Sequence, residues 1–342
     1  MKALAIQGIS DLNQDLEPLK WIDCELHEPG EKEILIQVST CGVCHTEIDE
    51  IEGRTPPPKY PIIPGHQVVG KITAAGSAAK RFRLGERVGV AWIFWACGKC
   101  KYCLSGDENL CLDFQATGRD ANGGYAEFML VAEDFAFSIP PSFSDSEAAP
   151  LLCAGAIGYR SLRLTNISNG QRLGLAGFGA SAHLVLQLAR HIYPQVEVFV
   201  FSRSPSEREF ALQLGAAWVG DFGDDPGVKL EAVIDTTPAY KPIIEALDIL
   251  APGGRLVINA IRKETVDVDQ LLRLDYPRHL WMEKEIKSVA NVSRQDVSKF
   301  LELAAEMNIK PEYQEYSLKD ANQALLELRM RKIRGAKVLK IG

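Results

Sequence analysis

Residues 172–182 read Arg-Leu-Gly-Leu-Ala-Gly-Phe-Gly-Ala-Ser-Ala, and they join an apolar run to a segment with helical spacing. The run predicts a short buried strand, and Ser181–Ile192 predicts the helix that follows it. Gly177 and Gly179 allow a tight turn and the close approach of a pyrophosphate, and Ala182 allows close packing of helix on strand. An isolated G-x-G-x-x-A match could be a packing turn without a ligand. Because this match lies between a predicted strand and a predicted helix, it indicates a dinucleotide-binding turn.

Strand and helix patterns alternate along the chain after this turn. Val196–Phe201, Ala232–Asp235 and Arg255–Ala260 are apolar runs that predict buried strands. Lys241–Leu250 predicts a helix between the last two strands. Alternating strands and helices are typical of a parallel, doubly wound sheet with right-handed crossovers. We expect this sheet domain to span residues 154–290.

The residues before the sheet domain follow a different pattern. Short apolar runs are interrupted by Gly and Pro, which predicts β structure with many turns. The chain has 342 residues, too many for one small core. We therefore expect a second domain over residues 1–153, followed at the other end by a tail at 291–342. The apolar runs are Glu33–Ser39, Gln67–Ala74, Glu86–Ala91 and Ala126–Val131.

The composition excludes several classes of protein. A hydrophobic content of 46% with 24% charged residues is typical of a folded chain and excludes wholesale disorder. The formal net charge of −7 gives no electrostatic basis for binding nucleic acid or an anionic membrane. No run approaches the roughly 18 apolar residues of a membrane span, and the N-terminus has no signal-peptide pattern. We expect a cytoplasmic protein whose cysteines are reduced thiols, either free or bound to metal.

Four cysteines lie close together in the run Cys97-x2-Cys100-x2-Cys103-x7-Cys111. Short loops of this kind can wrap one ion without strain, so four thiolates suit a closed tetrahedral zinc site. Such a site is structural, because it leaves no coordination position free for chemistry. A pair of disulfides is the weaker alternative, since nothing in the sequence indicates an oxidising compartment.

A second group of metal-binding side chains is spread over the first domain. Cys41 and Cys44 form a C-x-x-C pair, and His66 and Cys153 are isolated. Two thiolates and one imidazole form a catalytic zinc set, in which a fourth position stays open for water or substrate. A lone buried cysteine, however, is most often a small hydrophobic residue. Spacing alone therefore leaves this second site open.

From end to end, the chain resembles the zinc-dependent medium-chain alcohol dehydrogenases. The resemblance implies that Cys44, His66 and Cys153 bind a catalytic zinc ion and that Cys41 is only a neighbour. It also implies that the four-cysteine run binds a structural zinc ion, which makes two zinc ions per chain. The motifs that carry the resemblance are Cys41–Glu47, Pro64–Gly70, Cys97–Cys111, Gly123–Glu127, Leu152–Gly155 and Gly174–Ala182.

This resemblance implies an α/β fold made of a GroES-like, β-rich catalytic domain and a Rossmann domain, with the tail at 291–342 returning to the catalytic domain. In the implied reaction, a zinc-bound alkoxide passes hydride to NAD(P), and aldehyde reduction is the reverse. Trp92, Ile93 and Trp95 fall where members have apolar pocket residues, which favours a small or apolar primary alcohol. Core packing is an equal alternative for these side chains. A polyol or secondary-alcohol dehydrogenase, or a non-enzymatic nucleotide-binding zinc protein, are the rival functions.

The same resemblance assigns roles around the catalytic metal. Thr46 would take the substrate proton, because a hydroxyl can pass a proton while it stays neutral. Glu47 would brace the histidine ligand and fix its tautomer. Asp49 falls where some members end the proton relay with a histidine, but it could equally be a solvated surface acid. Gln67 follows the histidine ligand where many members have Glu, which removes one negative charge near the metal.

The end of the second predicted strand bears on the choice of nicotinamide cofactor. NAD enzymes usually have an acidic residue there, which accepts hydrogen bonds from the ribose. This strand ends in Ser202-Arg203, with no acid until Glu207, so there is room and positive charge for a 2′-phosphate. NADP(H) is therefore favoured over NAD(H), and an Arg on a solvated helix start is the alternative. The candidate cofactor residues are His45, Gly177, Phe178, Gly179, Ala180, Ser202, Arg203, Arg208, Thr236, Asn259, Ala260 and Ile261.

The resemblance also implies assembly. Members form dimers and tetramers through the edge of the nucleotide domain, so we expect a homodimer or a homotetramer. The expected ligand is a small-molecule alcohol or aldehyde.

Overall fold

The computed structural model describes residues 1–330 and 335–341. The chain forms two compact units, one made of residues 1–153 with 292–342 and the other of residues 154–291. The second unit is therefore inserted into the sequence of the first. Within the described ranges, no helix is long and apolar enough to cross a membrane.

Strands and helices follow one another along the chain with these bounds. The strands are β1 (Lys2–Ile6), β2 (Leu19–Asp23), β3 (Glu33–Val43), β4 (Val68–Ala75), β5 (Arg87–Val90), β6 (Ile93–Trp95), β7 (Gln115–Ala116), β8 (Phe128–Ala132), β9 (Ala136–Ser138), β10 (Arg172–Ala176), β11 (Glu197–Phe201), β12 (Trp218–Gly220), β13 (Leu230–Asp235), β14 (Leu250–Ile258), β15 (Glu285–Ser288), β16 (Tyr313–Ser317) and β17 (Ala336–Lys340). The helices are α1 (His45–Ile51), α2 (Lys101–Leu104), α3 (Asp145–Pro150), α4 (Ala156–Thr165), α5 (Ala182–Ile192), α6 (Pro205–Gln213), α7 (Lys241–Ile249), α8 (Tyr276–His279), α9 (Arg294–Glu306) and α10 (Ala321–Arg329).

The first unit is built around β3, an 11-residue strand that pairs antiparallel with β4, β8 and β17. The sheet order is β16-β17-β3-β4-β5-β9, with β8 also on β3. Ile34, Ile36 and Val38 of β3 are buried, and β-branched side chains suit a packed, pleated surface. The strand ends at Val43, so the sheet fixes the position at which Cys44 leaves it.

The second unit contains a parallel sheet with the order β12-β11-β10-β13-β14-β15. The chain starts in the middle at β10, builds outward to β12, and then builds in the other direction from β13. This is the order of a Rossmann sheet, which binds ligands at the carboxyl ends of the strands where the order reverses. Here the order reverses between β10 and β13. The core beneath includes Phe199, Phe201, Leu230, Val233, Leu247 and Leu256.

The predicted fold class, a β-rich domain with a doubly wound parallel sheet, is confirmed by this topology. β10 covers the apolar run Arg172–Ala176 that predicts a strand, and α5 begins one residue after the predicted helix start at Ser181. The sequence pattern does not predict β12 or β15. Both are short edge strands, and all four residues of β15 are exposed, so no apolar run marks it.

A buried lysine in β17 links this strand to the helix and strand beside it. Lys337 is fully buried, and its Nζ donates to Glu327 of α10 at 2.6 Å and contacts the Tyr316 hydroxyl of β16. The hydrogen bond from Lys337 lowers the pKa of Glu327 to about 2, well below its ordinary value. The ion pair therefore stabilises the fold when Glu327 is ionised.

Replacing Glu327 with Gln should destabilise the protein in a pH-dependent way. The substitution leaves a buried ammonium without its counter-charge, which costs about 3–5 kcal/mol at neutral pH. Because the folded-state pKa is depressed, the stabilisation is present above the ordinary value of 4.5 and is lost as the pH falls toward about 2. Urea unfolding at several pH values should show wild type and E327Q converging in acid. Glu302, in the exposed pair with Lys299, is the control, and E302Q should change stability by less than about 0.5 kcal/mol.

Candidate metal centres and cofactor site

Three candidate metal ligands converge in the first unit. Cys44 follows β3, His66 precedes β4, and Cys153 lies in a single π-helical turn at Leu151–Gly155. Their ligand atoms all lie within 4.8 Å of one another, and His66 Nε2 is 3.3 Å from Cys153 Sγ. The structure therefore brings together His66 and Cys153 from positions 87 residues apart in sequence.

The remaining cysteine of this region, Cys41, lies outside the group. Cys41 is fully buried in β3 and does not belong to the cluster. Gly65, with φ of +98°, passes so close that a Cβ there would lie 2.8 Å from Cys41 Sγ and 2.4 Å from the Tyr125 ring. Only glycine fits at this position, directly before His66.

Glu47 holds two of the three candidate ligands. Its Oε2 accepts a hydrogen bond from the Cys44 backbone N–H at 2.6 Å, and its Oε1 lies 2.7 Å from His66 Nδ1. A carboxylate at Nδ1 keeps the proton on that nitrogen and leaves Nε2 free as a metal ligand. Glu47 is fully buried, and burial raises its pKa.

The two thiols of the cluster shift each other's pKa through a hydrogen bond. Cys153 donates a hydrogen bond to Cys44, which lowers the pKa of Cys44 well below its ordinary value and raises that of Cys153. The thiolate is the form of cysteine that binds metal. The lowered pKa of Cys44 therefore favours the form that binds metal.

Glu50, a further buried acidic residue, bears on whether a cation fits this site. Glu50 lies one helical turn after Glu47 in α1 and is buried, yet neither carboxylate oxygen has a hydrogen-bond partner among the described residues. Burial raises its pKa well above the ordinary value, and the charge of Glu47 adds to the effect. A buried carboxyl group without a partner is rare. Two sulfurs and one imidazole nitrogen are a donor set that suits a zinc ion, and a cation there would offset the buried acid beside it.

The two candidate relay residues lie in different surroundings. Thr46 is nearly buried, and its Oγ1 is 3.5 Å from Cys44 Sγ, beside the cluster. Asp49 is also buried, and it accepts a hydrogen bond from Arg54 Nε at 2.6 Å. Asp49 is therefore not a solvated surface acid. His45, the first residue of α1, is exposed.

The apolar residues before the four-cysteine run differ in burial. Trp92 is buried and lies edge-on to the His66 ring, with centroids 5.1 Å apart. Ile93 is fully buried, whereas Trp95 is 42% exposed and contacts Phe135 at 5.7 Å between ring centroids. Trp92 therefore borders the candidate metal cluster directly.

The four-cysteine run forms the second cluster. The sulfur atoms of Cys97, Cys100, Cys103 and Cys111 lie within 4.8 Å of one another, and all four cysteines are free. Backbone N–H groups at positions 99 and 100 lower the pKa of Cys97 to about 7. The loop is also tied to α9, because Arg294 Nε donates to buried Glu108 at 2.8 Å. This geometry matches a closed four-sulfur site.

The glycine turn of the second unit leaves space for a ligand. Gly177 has φ of +80°, and a Cβ there would lie 2.9 Å from Thr236 Oγ1. A Cβ on Gly179 would meet nothing within 4 Å, and Ala180 is likewise exposed. Phe178, in contrast, is buried against Phe210, with ring centroids 5.9 Å apart. The open side of the turn is therefore at residues 179–180.

At the end of β11, where the strand itself has no acidic residue, the carboxylate of Glu207 lies beside Ser202. Ser202 Oγ donates to Glu207 Oε2 at 2.5 Å, and Arg208 Nη1 donates to the Ser202 carbonyl at 2.7 Å. Arg203 remains exposed. Glu207 is the third residue of α6, and Ser204 caps that helix by accepting from the Glu207 N–H. The capping pattern, a serine followed by an acid three residues later, is the signal that could have placed Glu207 here.

The remaining candidate cofactor residues follow β13 and β14. Thr236 donates to the Ala176 carbonyl through both its N–H and its hydroxyl, each at 3.0 Å. The Asn259 N–H donates to the Asp235 carbonyl at 2.8 Å. Ala260 is half-buried and Ile261 is 52% exposed. These residues share the carboxyl edge of the sheet with the glycine turn.

Comparison with known proteins places this arrangement in a family. The family profile "Alcohol dehydrogenase GroES-like domain" matches residues 30–141. A "Probable alcohol dehydrogenase AdhA" from Mycobacterium tuberculosis (strain CDC 1551 / Oshkosh) is 43% identical over 332 residues, which cover 96% of this chain and 94% of the relative. An alcohol dehydrogenase from Geobacillus stearothermophilus is 30% identical over 352 residues, with complete coverage of both chains.

Solved structures of alcohol dehydrogenases also have the fold of this chain. The cinnamyl alcohol dehydrogenase SbCAD4 from Sorghum bicolor has a TM-score of 0.86 at 26% identity and covers 99% of this chain and 97% of its own. A thermostable alcohol dehydrogenase from Pyrobaculum aerophilum, solved with cobalt and zinc bound, has a TM-score of 0.86 at 26% identity, with 99% coverage of both chains. The rival hypothesis of a non-enzymatic protein is therefore not retained. The chain belongs to the medium-chain alcohol dehydrogenase family of NAD(P)-dependent oxidoreductases.

Proposed function

We propose that this chain is a zinc-dependent alcohol dehydrogenase and aldehyde reductase with two zinc ions per chain. The observation that carries the proposal is the convergence of Cys44, His66 and Cys153 within 4.8 Å in one unit. Two sulfurs and one imidazole nitrogen match a catalytic zinc set, which leaves a fourth position for substrate. The Pyrobaculum aerophilum relative with bound cobalt and zinc supports this choice of metal.

When bound, zinc supplies Lewis-acid chemistry that lowers the pKa of a coordinated hydroxyl group. The chain's own residues then handle orientation and the proton. Glu47 keeps His66 in one tautomer, and the near-complete burial of Thr46 keeps bulk water from the same place. The Thr46 hydroxyl, beside Cys44, would accept the substrate proton while it releases its own, which finally reaches solvent, so no charge builds up on Thr46. Asp49 is paired with Arg54, so we assign it a structural role in α1 rather than the role of a proton acceptor.

The second zinc ion is proposed to be structural. Four sulfurs occupy all the positions of a tetrahedral ion and leave none for substrate. The Glu108–Arg294 pair connects this loop to α9, so the metal would fix the loop against the body of the first unit. The free cysteines of the chain support a reducing compartment, the cytoplasm.

NADP(H) is proposed as the preferred cofactor, bound at the carboxyl ends of β10 and β11. Gly179 leaves room for the pyrophosphate, and the N-terminus of α5 offers free N–H groups to it. Arg203 is exposed at the end of β11, where a 2′-phosphate would need a cation. Glu207 opposes this preference, because its carboxylate already accepts the hydrogen bond of the Ser202 hydroxyl. The preference is therefore expected to be moderate.

The proposed substrate is a small or apolar primary alcohol and its aldehyde. Trp92 contributes an apolar wall beside His66, and an aromatic wall disfavours the hydroxyl groups of a polyol because they would lose hydrogen bonds to water. The Sorghum bicolor relative, a cinnamyl alcohol dehydrogenase, supports an apolar substrate.

A homodimer or homotetramer is proposed, with a second copy of the chain on the β15 edge. β15 ends the sheet, so one side of its backbone is unpaired among the described residues. Large apolar side chains are exposed next to it, which is unusual for a surface facing water. They are Trp281 at 57%, Met282 at 54% and Ile286 at 45% exposure.

Removing one candidate ligand should remove one zinc ion and abolish turnover. We expect two zinc equivalents in wild type and one in Cys44→Ala or Cys153→Ala, measured by elemental analysis. Because the Lewis acid supplies several kcal/mol, alcohol oxidation should fall by about 10³-fold or more. Cys41→Ala is the matched control, since Cys41 is a buried neighbour outside the cluster, and it should retain both ions. Two ions and full turnover in C44A would contradict the proposal.

Cofactor choice should depend on Arg203. A charge-assisted hydrogen bond to a phosphate contributes about 1.5–3 kcal/mol, so Arg203→Ala should raise the Kd of NADPH about 10- to 100-fold. The Kd of NADH should change less than about twofold, because NADH lacks the 2′-phosphate. Nicotinamide fluorescence titrations measure both constants. Arg172→Ala, at the opposite end of β10, serves as control; equal losses for both cofactors in R203A would refute the NADP(H) assignment.

Assembly should depend on the apolar side chains beside β15. Trp281→Glu is expected to lower the mass measured by light scattering to that of a smaller assembly, because a buried charge at an interface is strongly unfavourable. Leu84→Glu, at an exposed apolar residue of the first unit, should leave the mass unchanged. A monomeric wild type would disprove the assembly.

A further inference from the structure

A buried ion pair joins the carboxyl end of β13 to the loop that follows β14. Lys263 Nζ lies 2.5 Å from Asp235 Oδ2 and donates to the Thr237 carbonyl at 2.7 Å. Asp235 is fully buried, and the Lys263 side chain is 9% exposed. Asp235 Oδ1 accepts two further hydrogen bonds, from the Thr237 N–H at 2.9 Å and hydroxyl at 2.7 Å. Both oxygens of this carboxylate are therefore in use.

Stability alone is a weak explanation for this pair. Desolvation of two buried charges offsets much of their attraction, so an apolar pair of similar volume is often as stable. A buried ion pair can instead select one arrangement of the chain, because each charge is strongly disfavoured away from its partner. The segments that the two partners hold show which arrangement this pair selects.

One partner of the pair lies against the glycine turn. Thr236, next to Asp235, donates to the last carbonyl of β10 through its hydroxyl at 3.0 Å. A Cβ on Gly177 would lie 2.9 Å from the same hydroxyl oxygen and 3.1 Å from the Thr237 methyl group. The position of residues 235–237 therefore fixes one wall of the turn.

The other partner lies in the loop that carries Asn259 and Ile261. Backbone hydrogen bonds hold this loop at both ends, from the Asn259 N–H to the Asp235 carbonyl at 2.8 Å and from the Glu264 N–H to the Pro238 carbonyl at 2.7 Å. Between the two ends, the Lys263 ammonium anchors the loop to β13 through a buried side chain.

We propose that Lys263 is a positioning residue for the nicotinamide end of the cofactor. Its ammonium group holds residues 259–261 at the carboxyl edge of the sheet, level with Thr236 and the glycine turn. Because Asp235 neutralises the charge of Lys263, the effect is geometric and does not act through a field on the cofactor. The inference rests on the proposed function, in which residues 259–261 line the nicotinamide site.

The test measures cofactor binding and loop mobility in the full-length, zinc-loaded protein. Lys263→Met should raise the Kd of NADH and NADPH by the same factor, about tenfold, because the nicotinamide end is common to both. Turnover at saturating cofactor should fall by up to about 100-fold, since a misplaced reactant loses its orientation. Hydrogen exchange at residues 259–264 should accelerate while the rest of the sheet stays protected. Zinc content should remain at the wild-type value.

Three further variants keep the outcome interpretable. Asp235→Asn combined with Lys263→Met leaves no unpaired charge, so it should fold even where K263M does not, and it should show the same losses. Lys263→Arg should restore part of the cofactor affinity. Lys229→Met, just before β13, removes a lysine whose Nζ donates to the Asp248 carbonyl and should leave cofactor Kd unchanged.

Two results would overturn the inference. The first is wild-type affinity for both cofactors with wild-type exchange at 259–264 in the double variant. The second is a loss of thermal stability in K263M with no change in cofactor Kd, which would show a structural role only. Failure of the proposed function looks different, because the wild-type protein itself would then bind neither nicotinamide cofactor.

Discussion

The contact of Glu47 with Cys44 and His66 is the interaction on which the rest of the first unit's chemistry depends. One buried carboxylate accepts from the Cys44 N–H at 2.6 Å and approaches His66 Nδ1 at 2.7 Å. It therefore sets both the start of α1 and the orientation of an imidazole that precedes β4. The same contact leaves the other imidazole nitrogen facing Cys153. Without it, the Cys44 backbone and the His66 ring would lose their shared partner.

Both units place their functional groups where strands end. Cys44 follows β3 and His66 precedes β4, so the antiparallel pairing brings them to the same end of this strand pair. In the second unit, Gly177, Ser202 and Thr236 each follow a parallel strand, and the parallel direction brings their ends to one edge. Hydrogen-bond ladders fix these ends rigidly. Reactive side chains can then lie on short connecting segments without losing their positions.

The sequence predicts what depends on local pattern. The β10–α5 turn and the alternation of strands and helices are visible because glycines and apolar runs at fixed spacing have local causes. The four-cysteine cluster is visible for the same reason, since short loops are enough to bring its sulfurs together. The group of Cys44, His66 and Cys153 is not visible, because Cys153 lies 87 residues after His66, and only the family resemblance links the two in sequence.

What the sequence could not predict depends on long-range contacts of charged side chains. In sequence, Asp49 could be a relay residue or a solvated surface acid, and the structure buries it in an ion pair with Arg54. Glu207 lies outside the predicted cofactor residues, yet the first turn of α6 returns its carboxylate to Ser202. Lys263 carries no apolar or glycine signal, and its partner Asp235 lies 28 residues earlier. Burial and pairing of charges are set by tertiary structure, so spacing in the sequence does not reveal them.

The pairing of β17 with β3 also has a consequence for how the protein is made. Val338 lies opposite Gly42, so the strand that leads into Cys44 has one of its edges completed by residues from the far end of the chain. A ribosome delivers the inserted unit, residues 154–291, before that edge exists. Domains tend to fold as they emerge from the ribosome. The inserted unit can therefore form while the first unit still lacks β17. The part of the chain that is translated first is therefore expected to be the last to reach its native state.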